Sequence, residues 1–364
     1  MKEDKIFFIT GGGTGGHIYP ALTLAKKLVS EGFKVYFVGN KRNLEYKIAL
    51  ENGLNFLDVN VSSMPRKASL NFIFWGFQTF FASLVAIFYA LKYKPNAAFA
   101  TGGYVCAPTL IASKLLKIPY MTHDSDTYPG IVSRVFSKYA TCATVAFPEA
   151  EKYLKCKNII LAGNPIRDNF ANADRDFALQ ELGLEDKKTI YITGGSQGAK
   201  TLNESAFNVI EKLKENQEIQ LILQTGIKNY DETVAKLGEL PKNILIKPYF
   251  SDTSLPLACA DLVVSRGGSL SISEILASGT PSIIVPYPHA AKNHQELNAK
   301  SVENIGCTIV LNDSECVENL ADMAFELVYN DEKLSEMKAN IKENSKPNGT
   351  QEIFEKLLEI AGDR

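Results

Sequence analysis

The chain has 364 residues, 45% of them hydrophobic and 22% charged, with a formal net charge of -2. That length exceeds what one hydrophobic core usually supports and points to two domains of ordinary soluble composition, while the near-neutral charge excludes the basic footprint of a nucleic-acid binder. Its six cysteines (Cys106, Cys142, Cys156, Cys259, Cys307, Cys316) lie far apart with no C-x-x-C pair, which excludes a disulfide framework or zinc ribbon and predicts reduced thiols in a cytoplasmic protein.

No signal peptide is expected, since Met1 to Lys5 is polar and leads straight into an apolar run. Lys5 to Ala21 reads KIFFITGGGTGGHIYPA. Ile6 to Ile9 predicts a buried parallel strand, followed by five glycines, Thr14 and His17. Ala21, Leu22, Leu24, Ala25 and Leu28 recur at helical spacing, with Pro20 expected in the first turn of the helix. Such a loop lets backbone N–H groups approach a phosphate at a helix N-terminus. Gly11, Gly13 and Gly16 also fit a dinucleotide fingerprint, whose usual acidic partner lies about 20 residues on. Here the second strand, Lys34 to Val38, ends in Gly39, Asn40, Lys41 and Arg42. An NADP oxidoreductase, its 2′-phosphate on Lys41 and Arg42, is therefore one alternative, and a tight turn with only a packing role is another.

A helix near Leu44 to Asn52 and strands at Asn55 to Val61, Ala97 to Thr101 and Pro119 to Thr122 follow, with a helix from Pro108 to Leu116. This alternation predicts a doubly wound α/β sheet with ligands outside the carboxyl ends of its strands. Ser69 to Leu91 carries no charge over 23 positions and is flanked by Arg66, Lys67, Lys92 and Lys94. It reads as a membrane-docking face, as a buried core helix or as a bilayer span. A span would split one α/β domain across the membrane, so the docking face is preferred. TGGYVCAP, from Thr101, forms a second glycine loop from which Tyr104 can reach a ligand. Asp124, Ser125 and Asp126 form a D-x-D, a pattern that holds a divalent cation in metal-dependent sugar-nucleotide transferases.

Leu161 to Arg167, LAGNPIR, has a turn signal and reads as a hinge, with Arg167 able to face a phosphate. Lys188 to Asn203, KTIYITGGSQGAKTLN, then repeats the strand, glycine loop and helix of the opening, with strands near Gln220 to Gln224 and Asn243 to Ile246 after it. Two such halves predict two similar sheets whose loops face across a cleft. Leu262 to Val264 is a strand, and Ser265 to Ser269 opens a helix whose first amides suit a diphosphate. Glu274 on that helix is placed for ribose hydroxyls. After the strand Ser282 to Val285, the cluster His289, Asn293, His294, Gln295 and Asn298 offers amides for sugar hydroxyls.

Taken together, GGGTGGHIYPA, TGGYVCAPTLIASKLLKIPY, GNPIR, TGGSQGAKTLN and SRGGSLSISEILASGTPSIIVPYPHAAKNHQELNA resemble the MurG family over nearly the whole chain. The resemblance implies a B-type glycosyltransferase fold of two Rossmann-like domains, and transfer of N-acetylglucosamine (GlcNAc) from UDP-GlcNAc to undecaprenyl-linked lipid I, giving lipid II for peptidoglycan. It implies an acceptor-binding and membrane-docking domain at 1–163, a donor-binding domain at 164–345, and a final helix at 346–364 packing back on the first domain. No cofactor is implied, and the place of action is the cytoplasmic face of the plasma membrane, reached peripherally through residues 66–94.

Carried over by position, Thr14, Gly15 and Gly16 face the acceptor pyrophosphate and His17 stands near the chemistry as the expected base, with Asp124 or His123 as alternates. Tyr104 and Asp126 are further expected substrate-binding residues, Asp126 standing where the family has an amide and able, when ionised, to accept but not donate hydrogen bonds. Arg167 and Ser196 contact the donor, the loop through Phe250 takes the uracil, and Ser269, Leu270, Ser271 and Glu274 hold the diphosphate and ribose. Gln295 and Asn298 bind GlcNAc hydroxyls. Where the family has His-Glu-Gln-Asn, this chain has His123-Asp124-Ser125-Asp126. A non-catalytic sugar-nucleotide-binding protein is a third reading.

Overall fold

Two compact units divide the chain: Met1–Arg167 with Asn348–Arg364, and Asp168–Pro347. The computed structural model describes residues 5–63, 65, 70–237 and 240–362. Arg66 and Lys67, the basic flank ahead of the apolar run, lie outside the described residues.

In the first unit seven parallel strands form one sheet: β1 (Ile6–Thr10), β2 (Lys34–Gly39), β3 (Asn55–Asp58), β4 (Ala97–Ala100), β5 (Tyr120–Asp124), β6 (Cys142–Val145) and β7 (Ile159–Leu161), in the order β3-β2-β1-β4-β5-β6-β7. β1, β2, β4 and β6 are near-continuous apolar runs because both faces are covered. Alternation along β1 divides the core. Phe7 and Ile9 pack with Leu24 and Leu28 of α1 (Gly15–Ser30) and with Phe354 and Leu357 of the final helix, Gly349–Ala361. Phe8 packs on the other face, with α3 (Leu70–Tyr93) and α4 (Cys106–Leu115) through Ala86, Ala90 and Leu110. Between them in sequence, α2 (Leu44–Glu51) adds Ile48 and Ala49 to the first of these faces. Thr350 at the start of the final helix donates to Ile166 O at 2.6 Å, tying that helix to the segment after β7.

The uncharged run forms the single helix α3. It is long and apolar enough to cross a bilayer by length and composition, but core burial does not describe it. Among its described side chains only a stripe of small residues, Ala82, Ser83, Ala86 and Ala90, is buried, at helical spacing, while Phe74, Phe77, Phe80, Phe81, Leu84, Phe88 and Leu91 are exposed.

The second unit is a six-stranded parallel sheet of β8 (Lys188–Thr193), β9 (Ile219–Gln224), β10 (Ile244–Lys247), β11 (Leu262–Ser265), β12 (Ser282–Ile284) and β13 (Thr308–Val310), ordered β10-β9-β8-β11-β12-β13. Ile190 and Ile192 of β8 pack with Leu202, Val209 and Leu213 of the helix Lys200–Glu215 and with Leu320 and Ala324 of the helix Cys316–Tyr329.

In both sheets the strand order reverses beside the first strand, between β1 and β4 and again between β8 and β11. The four loops leaving those strands carry the glycine motifs, at the switch points where such sheets bind ligands.

Pro20 departs from expectation. The helix starts at Gly15, so Pro20 lies inside it. A proline there has no N–H for the carbonyl four residues back, and the Ser125 hydroxyl takes that acceptor, Gly16 O, at 3.4 Å.

Candidate active site

In the first unit the loops after β1, β4 and β5 converge. Gly11 admits no side chain: a Cβ there would stand 2.1 Å from Thr101 Oγ1 and 2.5 Å from His17 O. Thr101 Oγ1 donates to His17 O at 2.6 Å, locking the first turn of α1 onto the end of β4. The amides of Gly15 and Gly16 open that helix, where the first N–H groups have no intrahelical acceptor. Thr14 and Gly16 are exposed beside them.

His17 is half-buried. Its Nδ1 lies 3.3 Å from both Gly12 O and Thr14 Oγ1. A carbonyl only accepts, so Nδ1 carries the proton and the basic lone pair is on Nε2. The ring rests on the second glycine loop, where a Cβ at Gly102 would come within 3.1 Å of Cδ2 and 3.2 Å of Nε2. Gly102 and Gly103 have φ of +100° and +81°, so glycine serves there for both space and conformation. Tyr104 is half-buried, with its hydroxyl accepting from Asn43 Nδ2 at 2.9 Å.

Asp124 ends β5 and is buried. Burial pushes its carboxyl up to about 7, against hydrogen bonds from the Ser133 side chain and the Gly130 amide that favour the charged form. Its Oδ2 is buried with no hydrogen-bond partner. Asp126 is half-buried beside it.

His123 does not fit the role of alternate base. It is fully buried, with Nδ1 3.0 Å from the Thr144 hydroxyl and Nε2 3.0 Å from Asn164 Oδ1. Burial drives its imidazole down to about 4, so it stays neutral and joins β5, β6 and the segment after β7. Among the described residues no group of three or more His, Cys, Asp and Glu side chains is placed to hold a metal ion.

In the second unit the loop after β8 closes on itself, Gly195 N donating to Thr193 Oγ1 at 3.0 Å and leaving Ser196 exposed. Gly198 and Gly226 meet where a Cβ on Gly226 would lie 2.4 Å from the Gly198 Cα. Phe250 is buried edge-on against Tyr191 at 6.2 Å, and its N–H donates to Gln224 Oε1 at 3.0 Å. Its side chain therefore shapes the loop from below.

The helix Ser269–Ala277 begins after Gly267 and Gly268, with Ser269 buried and Leu270, Ser271 and Glu274 half-buried. Arg266, which composition alone had not singled out, is engaged inward: Nη1 donates to Val285 O at 3.1 Å and pairs with Asp313. Gly267 is pressed against Gln295, where a Cβ would stand 2.4 Å from the carbonyl oxygen. Gln295 Oε1 accepts from Tyr287 N at 3.0 Å. Asn298 is fully buried and donates to Gly267 O at 3.3 Å, a place that supports the loop from behind. Lys292 and Asn293, at φ of +54° and +55°, make the strained entry to the helix carrying Gln295. Arg167, the last residue of the first unit's long segment, is exposed.

One buried charge escaped the sequence reading. Glu45, in the first turn of α2, is 0% exposed beneath the first glycine loop. A charged residue at a helix start usually faces solvent, so local pattern gave no signal of it.

Known proteins supply the last evidence. Residues 7–145 match the glycosyltransferase family 28 N-terminal domain and residues 189–353 its C-terminal domain. The chain is 37% identical over 354 residues to a UDP-N-acetylglucosamine--N-acetylmuramyl-(pentapeptide) pyrophosphoryl-undecaprenol N-acetylglucosamine transferase of Halothermothrix orenii, covering 94% of this chain and 95% of that one. A relative of the same description from Desulforamulus reducens is 37% identical, covering 96% and 98%. Among solved structures, MurG of Acinetobacter baumannii matches with a TM-score of 0.79 at 26% identity over 98% of this chain and 99% of that one. The calicheamicin glycosyltransferase CalG4 shares the fold at 15% identity, with a TM-score of 0.68 over 100% and 99%.

Proposed function

The chain belongs to the MurG family within glycosyltransferase family 28, and from that premise we propose how its residues carry out the family's reaction. It is a UDP-GlcNAc-dependent N-acetylglucosaminyltransferase of the B-type fold, moving GlcNAc onto the MurNAc 4-hydroxyl of lipid I to form lipid II for the cell wall. Family membership sets aside the oxidoreductase reading.

The donor goes to the second unit. Its diphosphate meets the amides at the start of the helix Ser269–Ala277, where the dipole favours negative charge. Ser269, Leu270 and Ser271 line that turn, and Glu274 accepts from the ribose hydroxyls. Ser196 contacts the phosphates, the loop at Phe250 takes the uracil through its backbone, and Gln295 reaches the sugar with Asn298 bracing it. As the C1–O bond breaks, these donors stabilise the departing UDP with no cofactor in the scheme.

The acceptor goes to the first unit, its pyrophosphate on Thr14, Gly15 and Gly16. His17 Nε2 takes the proton from the MurNAc hydroxyl as that oxygen attacks C1, and the anomeric configuration inverts. Asp124 and Tyr104 frame the hydroxyl side, with Asp126 accepting from the acceptor. The enzyme sits on the cytoplasmic face of the plasma membrane, with α3 laid in the interface by its exposed phenylalanines.

One observation carries the donor assignment: a glycine turn at the switch point opens a helix with a half-buried acid in its second turn. Titration of Glu274→Ala with UDP tests it, with an affinity loss of about tenfold or more expected. Unchanged UDP affinity removes Glu274 from the site. Stabilisation by NADPH and not by UDP in a thermal-shift panel overturns the donor reading altogether. Binding of UDP-GlcNAc without transfer to lipid I leaves the non-catalytic alternative. Activity that EDTA abolishes and Mn²⁺ restores returns the D-x-D to a metal role.

A further inference from the structure

Glu45 is a carboxylate sealed under the acceptor loop, and the groups hydrogen-bonded to it are donors. Oε1 accepts from the Asn40 amide at 3.3 Å and from Asn43 Nδ2 at 3.1 Å, and Oε2 accepts from the Gly13 amide at 3.5 Å. Two glycines make room for it: a Cβ on Gly12 would stand 2.8 Å from Glu45 Cδ, and one on Gly39 2.9 Å from Cγ. Asn43 Nδ2 also donates to the Tyr104 hydroxyl at 2.9 Å. The Tyr104 ring in turn backs Gly13, whose Cβ would lie 3.3 Å from Cε1. One side chain thus reaches the end of β2, the first glycine loop and, through Asn43, the second.

We propose that Glu45 is a positioning residue for acceptor binding: its carboxylate holds Gly13 in its φ of +86°, so that the amides of Thr14, Gly15 and Gly16 face the pyrophosphate, and it fixes Tyr104 through Asn43. The inference rests on the acceptor assignment above. Taking the Gly13 N–H inward orients the turn before α1 opens. Because each of these three partners is a donor, an amide cannot replace the acid. A glutamine would turn an NH₂ group onto an N–H and leave a buried donor unsatisfied.

The test uses the full chain with Glu45→Gln, and Glu45→Asp as a variant that keeps the charge but withdraws it by one methylene. Three quantities are read: acceptor KM with lipid I, UDP affinity by titration, and hydrogen–deuterium exchange of the peptide spanning residues 11–19. For Glu45→Gln the expected result is an acceptor KM raised about tenfold or more, UDP affinity within twofold of wild type, and faster exchange confined to the glycine loops. Glu45→Asp is expected to fall between the two. Wild-type acceptor KM and exchange in Glu45→Gln overturn the proposal, and so does a parallel loss of UDP affinity with exchange rising throughout the first unit, the mark of a merely structural residue. If wild type itself fails to use lipid I, the acceptor reading fails, and the exchange data still decide whether Glu45 holds the loop.

Discussion

The Ser125 hydroxyl donates to Gly16 O at 3.4 Å, the carbonyl that Pro20 inside α1 cannot serve. The residue after β5 thereby supplies the helical hydrogen bond that Pro20 cannot make, and the Thr101 hydroxyl adds a second tether to the same turn at His17 O, 2.6 Å away. Ser125→Ala is expected to cost about 1 kcal/mol and to lower kcat several-fold, because His17 rides on the loosened turn. Ser125→Thr, which keeps the hydroxyl, should recover most of both. Thermal melts and steady-state rates read the two effects, and a full-rate alanine variant would show that the turn holds without Ser125.

The two histidines of the first unit should separate cleanly. His17→Ala removes the proposed base and is expected to reduce kcat by about 10²–10⁴-fold with UDP affinity barely changed. His123→Ala removes one hydrogen bond each from the Thr144 hydroxyl and Asn164 Oδ1 and opens a cavity in a sealed site, at a cost of about 2–4 kcal/mol. Its folded fraction should retain far more turnover than His17→Ala. The reverse pattern, a stable but inert His123→Ala, would make His123 the base.

Sequence showed the strands and glycine loops well because a parallel strand covered on both faces is an unbroken apolar run that ends abruptly in its loop. β1 and β8 are of this kind. β6 and β13, with four and three residues, are no shorter than β4 and β12 but have no glycine or proline within two residues after their carboxyl ends to mark them off. The start of α1 was misplaced because glycines mask helical spacing, so that Pro20 looked like a first-turn residue. Glu45, Arg266 and Asn298 share another difficulty. Each is polar, lies next to a recognisable motif and points inward, and direction depends on which distant loop supplies the partner. His123 shows the converse, since its neighbour Asp124 invites a catalytic reading that the covering strand β6 removes.

Asp124 makes stability depend on pH in an unusual direction for a carboxylate. Folded Asp124 keeps its proton to about pH 7, whereas an unfolded aspartate loses it near 3.8. Between those values the folded chain binds more protons, so this residue's contribution to stability falls as pH rises. Asn cannot ionise, and its NH₂ replaces the unpartnered Oδ2 while its oxygen still accepts from Ser133 and Gly130. Asp124→Asn should therefore gain stability relative to wild type on going from pH 5 to pH 8, by an amount on the order of 2–4 kcal/mol. Denaturant melts at the two pH values check this. A gap that does not widen with pH would mean that Asp124 ionises freely in the fold.

The exposed face of α3 sets the last expectation. Phe77 and Phe81 are each 60% exposed, one turn apart and opposite the stripe of Ala82, Ala86 and Ala90 that meets the core. Replacing both by Glu removes side chains that are mostly exposed, so stability should change by no more than about 0.5 kcal/mol per site. Vesicle binding should respond strongly, because each phenylalanine loses its favourable transfer into the interface, worth about 1.5–3 kcal/mol when fully buried, and each new carboxylate is repelled by anionic headgroups. Flotation with vesicles of anionic lipid is expected to drop at least tenfold for Phe77→Glu/Phe81→Glu, while turnover of a water-soluble acceptor analogue persists. Lys92 closes the same helix, so salt should weaken wild-type binding in part and leave the apolar share. Undiminished flotation of the double variant would place the contact elsewhere, and wild-type protein that only detergent releases would mean that α3 enters the bilayer instead of lying along it.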